Sequence, residues 1–330
     1  MAKISLTGIK PTGTPHLGNY LGSIAPALEL TQDYLSIYFI ADWHALTTVK
    51  NGQELRGLIH KLAATWLACG LDPQKTIFFQ QSHIPELAEL NWYLACFSAK
   101  GLLNRAHAYK AISEENKAAG REPDEGINVG IYTYPVLMSA DILLFGSDVV
   151  PVGHDQKQHV EIARDLAVSV NYALGNIFNI PEPLIRDDVK TIPGLDGRKM
   201  SKSYDNVIPF LAPVGEMKKA VMRIVTDSKR PEEPKDPETC NVFNIFKHFA
   251  STERIAFRRG QYMAGGVGYG EMKEELLADL ETRFSAPRAK YEELMKNTTN
   301  LDKILLHGAE RARQLAGQRM EKLRKKLGLR

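Results

Sequence analysis

Short runs of β-branched and aromatic residues alternate with helical patterns through the first half of the chain. The runs lie at 3–7, 36–41, 76–80 and 149–152. Apolar runs of this length are typical of strands that are buried on both faces of a parallel sheet. Helical periodicity fills 17–28 and 53–69, and Gly70 after the second segment is a natural helix stop. The pattern predicts an α/β fold with a Rossmann-type parallel sheet and helices on both of its faces.

The strand pattern fades after about residue 206, and helical patterns then predominate. A chain of 330 residues is also long for a single core. We therefore predict two domains. The first is a Rossmann-type catalytic domain at 1–205 with an inserted helical segment at about 100–145, and the second is a mostly helical domain at 206–330.

Composition and charge exclude several classes of protein. The amino terminus lacks the pattern of a signal peptide, and no uncharged stretch approaches the length of a membrane span, so we expect a cytoplasmic protein without a membrane partner. Cys69, Cys96 and Cys240 have no paired spacing, which predicts neither a disulfide framework nor a metal site. A net charge of +3 does not by itself indicate a nucleic-acid binder. The basic segment 319–330 is either attractive to phosphates or a solvated helix face.

The first predicted strand runs into a glycine-rich segment at 8–19, and a helix begins near Leu17. The first turn of a helix offers unpaired N–H groups and a positive dipole end, which favour phosphate binding. His16 and Asn19 are three residues apart, so both can reach one polyphosphate. For the glycine-rich loop alone, a plain structural turn is an equally good interpretation.

A second polar loop, at 197–203, carries three cations and two hydroxyl groups just before the predicted domain boundary. Cations in such a loop can follow charge as it develops on a transferring phosphate. An exposed polar turn is the alternative, but the presence of the first motif favours the functional interpretation.

The segments 15–19 (PHLGN) and 199–203 (KMSKS) together resemble the two signature motifs of class I aminoacyl-tRNA synthetases, in the expected order. Asn19 stands where a second histidine is usual, a variation found in the tryptophan and tyrosine branch. The segments 134–144 and 150–159 are similar to the amino-acid and ribose elements of the tryptophan members. The resemblance implies an ATP-dependent ligase that activates L-tryptophan to its adenylate and then transfers it to tRNA(Trp). The tyrosine enzyme is the alternative.

The spacing of Tyr134, Met138 and Asp141 places them on one stripe of a helix. A carboxylate among apolar residues needs a donor, and an indole N–H is a donor only, although Asp141 can instead pair within the protein. His44 is likewise either a pocket residue or a core histidine. The residues that the resemblance places around tryptophan are Leu6, where phenylalanine is more usual, His44, Tyr134, Met138, Asp141, Val150, Val152 and Gln156.

The resemblance also implies a nucleotide site. Its ATP-contacting residues are Lys10, Pro11, Thr12, Gly18, Asn19, Gly153, His154, Asp155, Ile192, Lys199, Met200, Ser201, Lys202 and Ser203. The catalytic residues are expected to be His16, Asn19, Lys110, Lys199 and Lys202, because a substrate carboxylate is already a nucleophile and needs only alignment and charge stabilisation.

The roles of two of these residues have alternative interpretations. Lys10 stands where many relatives carry glutamine, and Asp155 is also a good helix N-cap. Magnesium is expected on the phosphates of ATP and not in a metal site of the protein. The resemblance further implies a homodimer whose 206–330 domain and terminal helix bind the anticodon region of the tRNA.

Two other classes share part of the pattern. Small-molecule adenylyl- and cytidylyltransferases use a similar motif after their first strand, but they do not need a helical second domain. A paralogue that binds tRNA without catalysis would not need both Lys199 and Lys202.

Overall fold

A five-stranded parallel sheet forms the centre of the fold in the computed structural model, which describes residues 2–185 and 192–329. The strands are β1 Ile4–Ile9, β2 Leu35–Ile40, β3 Ile77–Gln80, β4 Val149–Pro151 and β5 Glu182–Leu184. They lie in the order β3-β2-β1-β4-β5, and each neighbouring pair is parallel. The predicted Rossmann-type sheet is confirmed. The strand order reverses between β1 and β4, where such sheets open a crevice for ligands.

The sequence pattern found four of the five strands and missed β5. This strand has three residues, includes Pro183, and lies at the edge of the sheet beside β4. Proline removes a backbone donor and is tolerated mainly at sheet edges, so β5 lacks the continuous β-branched pattern of the buried strands.

Helices cover both faces of the sheet and make up most of the chain after β5. Those of the first part are α1 Leu17–Asn19, α2 Ala25–Leu30, α3 Asp42–Ala45, α4 Gly52–Ala68, α5 Pro85–Phe97, α6 Lys100–Asn104, α7 His107–Ala118, α8 Val129–Leu144 and α9 Lys157–Leu174. Those of the second part are α10 Val214–Met222, α11 Asn241–Phe246, α12 Thr252–Ala264, α13 Tyr269–Lys296 and α14 Thr298–Lys326. A π-helical turn, Tyr20–Ile24, joins α1 to α2, so the helix predicted at 17–28 is present in three pieces. No helix in the described ranges is long and apolar enough to cross a lipid bilayer.

The two faces of the sheet belong to two separate hydrophobic clusters. Along β2, Tyr38 and Ile40 pack into one cluster and Ile37 and Phe39 into the other, which is the period of two expected for a strand. The first cluster continues into α10, α11 and α13, and the second into α5, α8 and α9. Helices α10, α11 and α13 therefore share a core with one face of the sheet, whereas α14 contributes residues to both clusters.

The last helix, α14, lies along the edge strand β3. A Cβ atom on Gly308 would lie 1.7 Å from the carbonyl oxygen of Phe78, so only glycine permits this approach. Arg311 donates from Nη1 to the carbonyl oxygens of Pro73 and Thr76, at 2.8 Å each. A helix that the sequence assigns to the second domain thus packs on the sheet of the first, and the boundary near residue 206 stays a prediction.

Several cations of the basic segment 319–330 also bond to the first part of the chain. Arg319 donates to the carbonyl oxygen of Leu144 at 2.5 Å, and Arg324 donates from Nε to Glu89 at 2.7 Å. Lys322 donates to the carbonyl oxygen of Asn176 at 2.5 Å. Much of the positive charge counted in the sequence therefore anchors α14, and less of it is available to a phosphate.

Candidate active site

A cavity of about 500 Å³ opens at the carboxyl ends of β1 and β4, where the strand order reverses. All eight residues that the sequence places around tryptophan line this cavity, although their binding role stays a prediction. The predicted nucleotide residues that also line it are Lys10, Thr12, Asn19 and Gly153. The sheet thus brings together residues from four distant segments of the chain.

Asp141 lies on α8 at the base of this cavity, with only 2% of its surface exposed. Its Oδ1 accepts a hydrogen bond from Gln81 Nε2 at 2.7 Å, and its Oδ2 is 2.8 Å from His44 Nε2. Burial raises the pKa of Asp141, and the hydrogen bonds from His44 and Gln81 oppose that shift. The carboxylate therefore pairs internally, as the alternative interpretation held, and lines the cavity as well. Gln81 was not among the predicted site residues, although its position directly after the buried strand β3 is a signal for a site residue.

His44 combines the two roles that the sequence left open. It lies on α3 directly after β2, is 7% exposed, and is bonded to Asp141. It also lines the cavity and meets the ring of Tyr134 edge to face, with centroids 6.1 Å apart. His44 is therefore both a buried, hydrogen-bonded histidine and part of the cavity wall.

A second hydrogen-bonded chain joins Tyr134 to Gln156. The Tyr134 hydroxyl is hydrogen-bonded to Nε2 of His159, and Nδ1 of His159 lies 3.0 Å from Gln156 Oε1. Because that oxygen only accepts, His159 Nδ1–H is the donor, which leaves Nε2 of a neutral ring to accept from the tyrosine hydroxyl. His159 is 1% exposed and was not among the predicted site residues, although it ends one of the segments that carry the family resemblance. It fixes the orientation of two cavity residues at once.

The two signature motifs meet in the folded chain, although they are about 180 residues apart. The backbone N–H of Gly18 donates to the sulfur of Met200 at 3.2 Å. A Cβ atom on Gly13, whose φ is +137°, would lie 2.5 Å from Lys202 Nζ. The second loop therefore lies directly against the first, as binding of one polyphosphate by both would require.

Electrostatics at this contact favour an anion. His16 is 7% exposed and its Nδ1 has no hydrogen-bond partner in the described structure. Burial and the nearby Lys202 lower the pKa of His16 to about 4, so its ring is neutral at pH 7. Desolvation and Lys61 lower the pKa of Lys202 to about 8, and desolvation lowers the pKa of Lys10. No ion pair to Lys202 is present within 2–185 and 192–329, and a phosphate that binds between the two loops would supply an anion there.

Asn206 holds the second loop in shape and was also missed from the sequence. It is 2% exposed, its Oδ1 accepts from the backbone N–H of Ser201 at 2.7 Å, and its Nδ2 donates to Asp196 at 2.7 Å. The Oγ of Ser201 in turn accepts from the backbone N–H of Ser203 at 3.3 Å. A Cβ atom on Gly194 would lie 2.6 Å from the carbonyl oxygen of Asn206, so the loop closes around this residue. Lys199 and Lys202 are exposed residues of this loop, and the ammonium group of Lys202 lies against Gly13.

Several predicted nucleotide residues lie away from the cavity wall. Lys110 is exposed on α7, with its Nζ 3.5 Å from Glu114 Oε1, and the structure does not bring it to the cavity. Ile192 and Met200 are 6% and 4% exposed within the hydrophobic cluster, and the carbonyl oxygen of Ile192 accepts from the N–H of Met200 at 2.9 Å. Pro11 is buried. His154 lies in the single turn His154–Gln156, and the side chain of Asp155 is outside what the structure describes.

The described residues contain no group of three or more histidine, cysteine, aspartate or glutamate side chains that could hold a metal ion.

Comparison with known proteins places this arrangement in a family. Residues 3–285 match the family model described as tRNA synthetases class I (W and Y). The chain is 49% identical over 330 residues to the tryptophan–tRNA ligase of Pseudomonas aeruginosa, covering 98% of this chain and 73% of that relative. It is 45% identical to the tryptophan–tRNA ligase of Neisseria meningitidis, covering 98% and 97%. The tryptophanyl-tRNA synthetase of Campylobacter jejuni, solved with ADP and tryptophan, superposes with a TM-score of 0.89 at 42% identity, covering 99% of this chain and 100% of that one.

Proposed function

This chain belongs to the class I tRNA synthetases for tryptophan and tyrosine, and from that premise we propose how its cavity performs the reaction. Its function is that of a tryptophan–tRNA ligase. The observation that supports our assignment of residues is the convergence of eight expected tryptophan residues on one cavity beside the contact of the two signature loops. Tyrosine has less support as the substrate, because the relatives with the high identities are tryptophan enzymes.

We propose that the indole ring enters the cavity between Leu6, Met138 and Val150 and donates its N–H to Asp141. An apolar slot favours a large flat ring by buried area, and an ionised carboxylate accepts without offering a donor. Tyr134 and Gln156, oriented by His159, are then placed for the ammonium group of the substrate. Leu6 fills less space than an aromatic ring, which leaves that wall of the slot less tightly packed.

We propose that ATP lies between the two loops, with its phosphates against His16, Asn19, Lys199 and Lys202. A carboxylate oxygen of tryptophan attacks the α-phosphorus, the bond to the bridging oxygen breaks, and pyrophosphate leaves with that electron pair. The neutral ring of His16 and the cation of Lys202 stabilise charge that moves onto the leaving phosphates. Lys110 can act as the predicted phosphate cation only if α7 approaches the cavity when ATP is bound.

We propose three further features of the reaction. Magnesium arrives on the phosphates of ATP, since this ion prefers phosphate oxygens and retained water molecules. The aminoacyl group passes from the adenylate to the terminal ribose hydroxyl of tRNA(Trp), which binds along the helices of 206–330. The enzyme acts as a cytoplasmic homodimer, as the family resemblance implies, and sedimentation at several concentrations measures its assembly.

Isotope exchange between ATP and pyrophosphate, measured with each amino acid in turn, tests the proposed site. We expect exchange with tryptophan and much weaker exchange with tyrosine, because a site built around one polar contact strongly rejects a side chain that does not match it. Equal exchange with tyrosine, or none with tryptophan, would contradict the proposal.

A further inference from the structure

A hydrogen-bonded chain extends behind the cavity, from Asp141 to the backbone of α3. Gln81 follows β3, has no exposed surface, and does not line the cavity. Its Nε2 donates to Asp141 Oδ1 at 2.7 Å, and its Oε1 accepts from the backbone N–H of Trp43 at 3.1 Å. Because a backbone N–H can only donate, it fixes the amide with its oxygen toward Trp43 and its nitrogen toward Asp141.

The charge on Asp141 depends on donors of this kind. The carboxylate is buried, which favours its neutral form, and only hydrogen bonds or nearby cations can offset that preference. His44 donates from Nε2 only in some of its tautomers and protonation states, whereas the amide of Gln81 donates at every pH. The titratable groups that face Asp141 are His44 and, at longer range, Asp42, both on α3.

We infer that Gln81 is a specificity-determining positioning residue, which keeps Asp141 an oriented hydrogen-bond acceptor and so selects a substrate ring that carries an N–H group. This inference rests on the proposed function of the cavity. A protonated Asp141 would offer the indole N–H either an O–H donor or a neutral carbonyl oxygen, and in both cases the hydrogen bond to a charged acceptor is lost. A ring with sulfur in place of that N–H does not donate to Asp141, so protonation of Asp141 does not weaken its binding in this way. Loss of Gln81 should therefore remove the preference for N–H, and not simply weaken binding of every substrate.

Gln81→Met tests this inference, because methionine keeps the length of the side chain and cannot donate. Gln80→Met is the matched control. Gln80 is the adjacent glutamine, and its Nε2 donates at 2.8 Å to Asp42, which does not line the cavity. The substrates are L-tryptophan and its benzothiophene analogue, in which sulfur replaces the ring N–H. The measured quantity is the ratio of kcat/KM for the two substrates in pyrophosphate exchange.

We expect Gln81→Met to lower the tryptophan-to-analogue ratio about tenfold or more at the lowest pH at which the enzyme is stable, since hydrogen bonds to charged groups are the strong ones. The ratio should rise again with pH, as Asp141 loses its proton. Gln80→Met should leave the ratio within about twofold of the unmodified enzyme. An equal loss for both substrates in Gln81→Met, with an unchanged ratio, would show that Gln81 only supports the fold and would overturn the inference.

Gln81→Glu gives an independent test with the opposite sign, and it serves if Gln81→Met does not fold. A protonated glutamic acid can still donate to Asp141, so the ratio should be close to normal at low pH and should fall about tenfold as the new carboxyl group ionises. A ratio that does not change with pH in this variant would also contradict the inference. Measurements on the unmodified enzyme distinguish a failure of the proposed function from a failure of the role of Gln81. Absence of exchange with tryptophan would overturn the proposed function itself, whereas normal exchange with an unchanged ratio in Gln81→Met would overturn only the role of Gln81.

Discussion

The site has two ends that are built differently: the cavity predicted to hold the amino acid, and the neighbouring contact of the two signature loops, predicted to hold the nucleotide. At the amino-acid end, His44 and Gln81 are hydrogen-bonded to Asp141, and Tyr134 is hydrogen-bonded to His159, before any substrate arrives. At the nucleotide end, Lys202 projects from a loop without an ion pair in the described structure, and the Nδ1 of His16 has no partner. Fixed groups select a rigid ring, whereas unpaired groups interact most strongly with charge that develops during reaction. We therefore expect changes at the first end to alter substrate choice and changes at the second to alter rate.

The largest effect is expected for Lys202→Ala. Removing a cation that acts on transition-state charge should lower kcat for tryptophan-dependent pyrophosphate exchange about 100- to 1,000-fold. The KM for tryptophan should change little, because Lys202 lies against Gly13 at the contact of the two loops and does not line the cavity. Lys202→Arg is the control that keeps the charge. A rise in the KM for tryptophan at unchanged kcat in Lys202→Ala would contradict the prediction that the nucleotide end controls rate and the amino-acid end controls substrate choice.

Asp141→Ala should raise the KM for tryptophan about 10- to 100-fold, since it removes a charged acceptor from the amino-acid end. The rate at saturating tryptophan should fall far less than in Lys202→Ala. Steady-state exchange at several tryptophan concentrations separates the two parameters. Asp141→Asn, with the same size and no charge, should show most of the same loss, and an unaltered KM in both variants would exclude an indole contact.

The pH dependence of kcat/KM for ATP tests the role of Lys202 at the nucleotide end. The pKa of Lys202 is lowered to about 8, and its charged form is the one that binds phosphate, so kcat/KM for ATP should fall as pH rises through that value. The fall should approach about tenfold per pH unit. Because Lys61 contributes to the lowered pKa, Lys61→Met should move the fall to higher pH. A profile that Lys61→Met does not move would assign the titration to another group.

The smallest effect is expected for Lys110→Ala. Lys110 is exposed and paired with Glu114 on its own helix, and exposed pairs of this kind contribute little, so exchange should change less than about threefold. Single-turnover adenylate formation is the more sensitive measurement. A loss as large as that in Lys202→Ala would show instead that α7 approaches the phosphates when ATP binds, and Lys110 would then belong with the groups that control rate.

The local sequence predicted secondary-structure elements and motifs better than it predicted which distant residues contact each other. Strand and helix periods depend on side chains two to four residues apart, so β1 to β4 and the long helices were visible in the pattern. The hydrogen bond from Gln81 to Asp141 spans 60 residues, and the contact of Gly18 with Met200 spans 182. Neither contact can be predicted from the spacing of residues along the sequence. The packing of α14 against β3 was not predicted, for the same reason. It depends on Gly308, and glycine inside a helix would otherwise only weaken the helix.

The sequence by itself determined the alternation of strands and helices and the two loops with their cations, because each depends on chemistry within a short stretch of chain. The residues predicted around an indole came instead from the family resemblance. Only the tertiary structure decided which donors hold Asp141, which histidine orients Tyr134 and Gln156, and that Lys110 lies away from the cavity. Those outcomes depend on how burial and hydrogen bonding are satisfied among segments that meet in space, and a buried polar group takes its partner from whichever segment the fold places beside it.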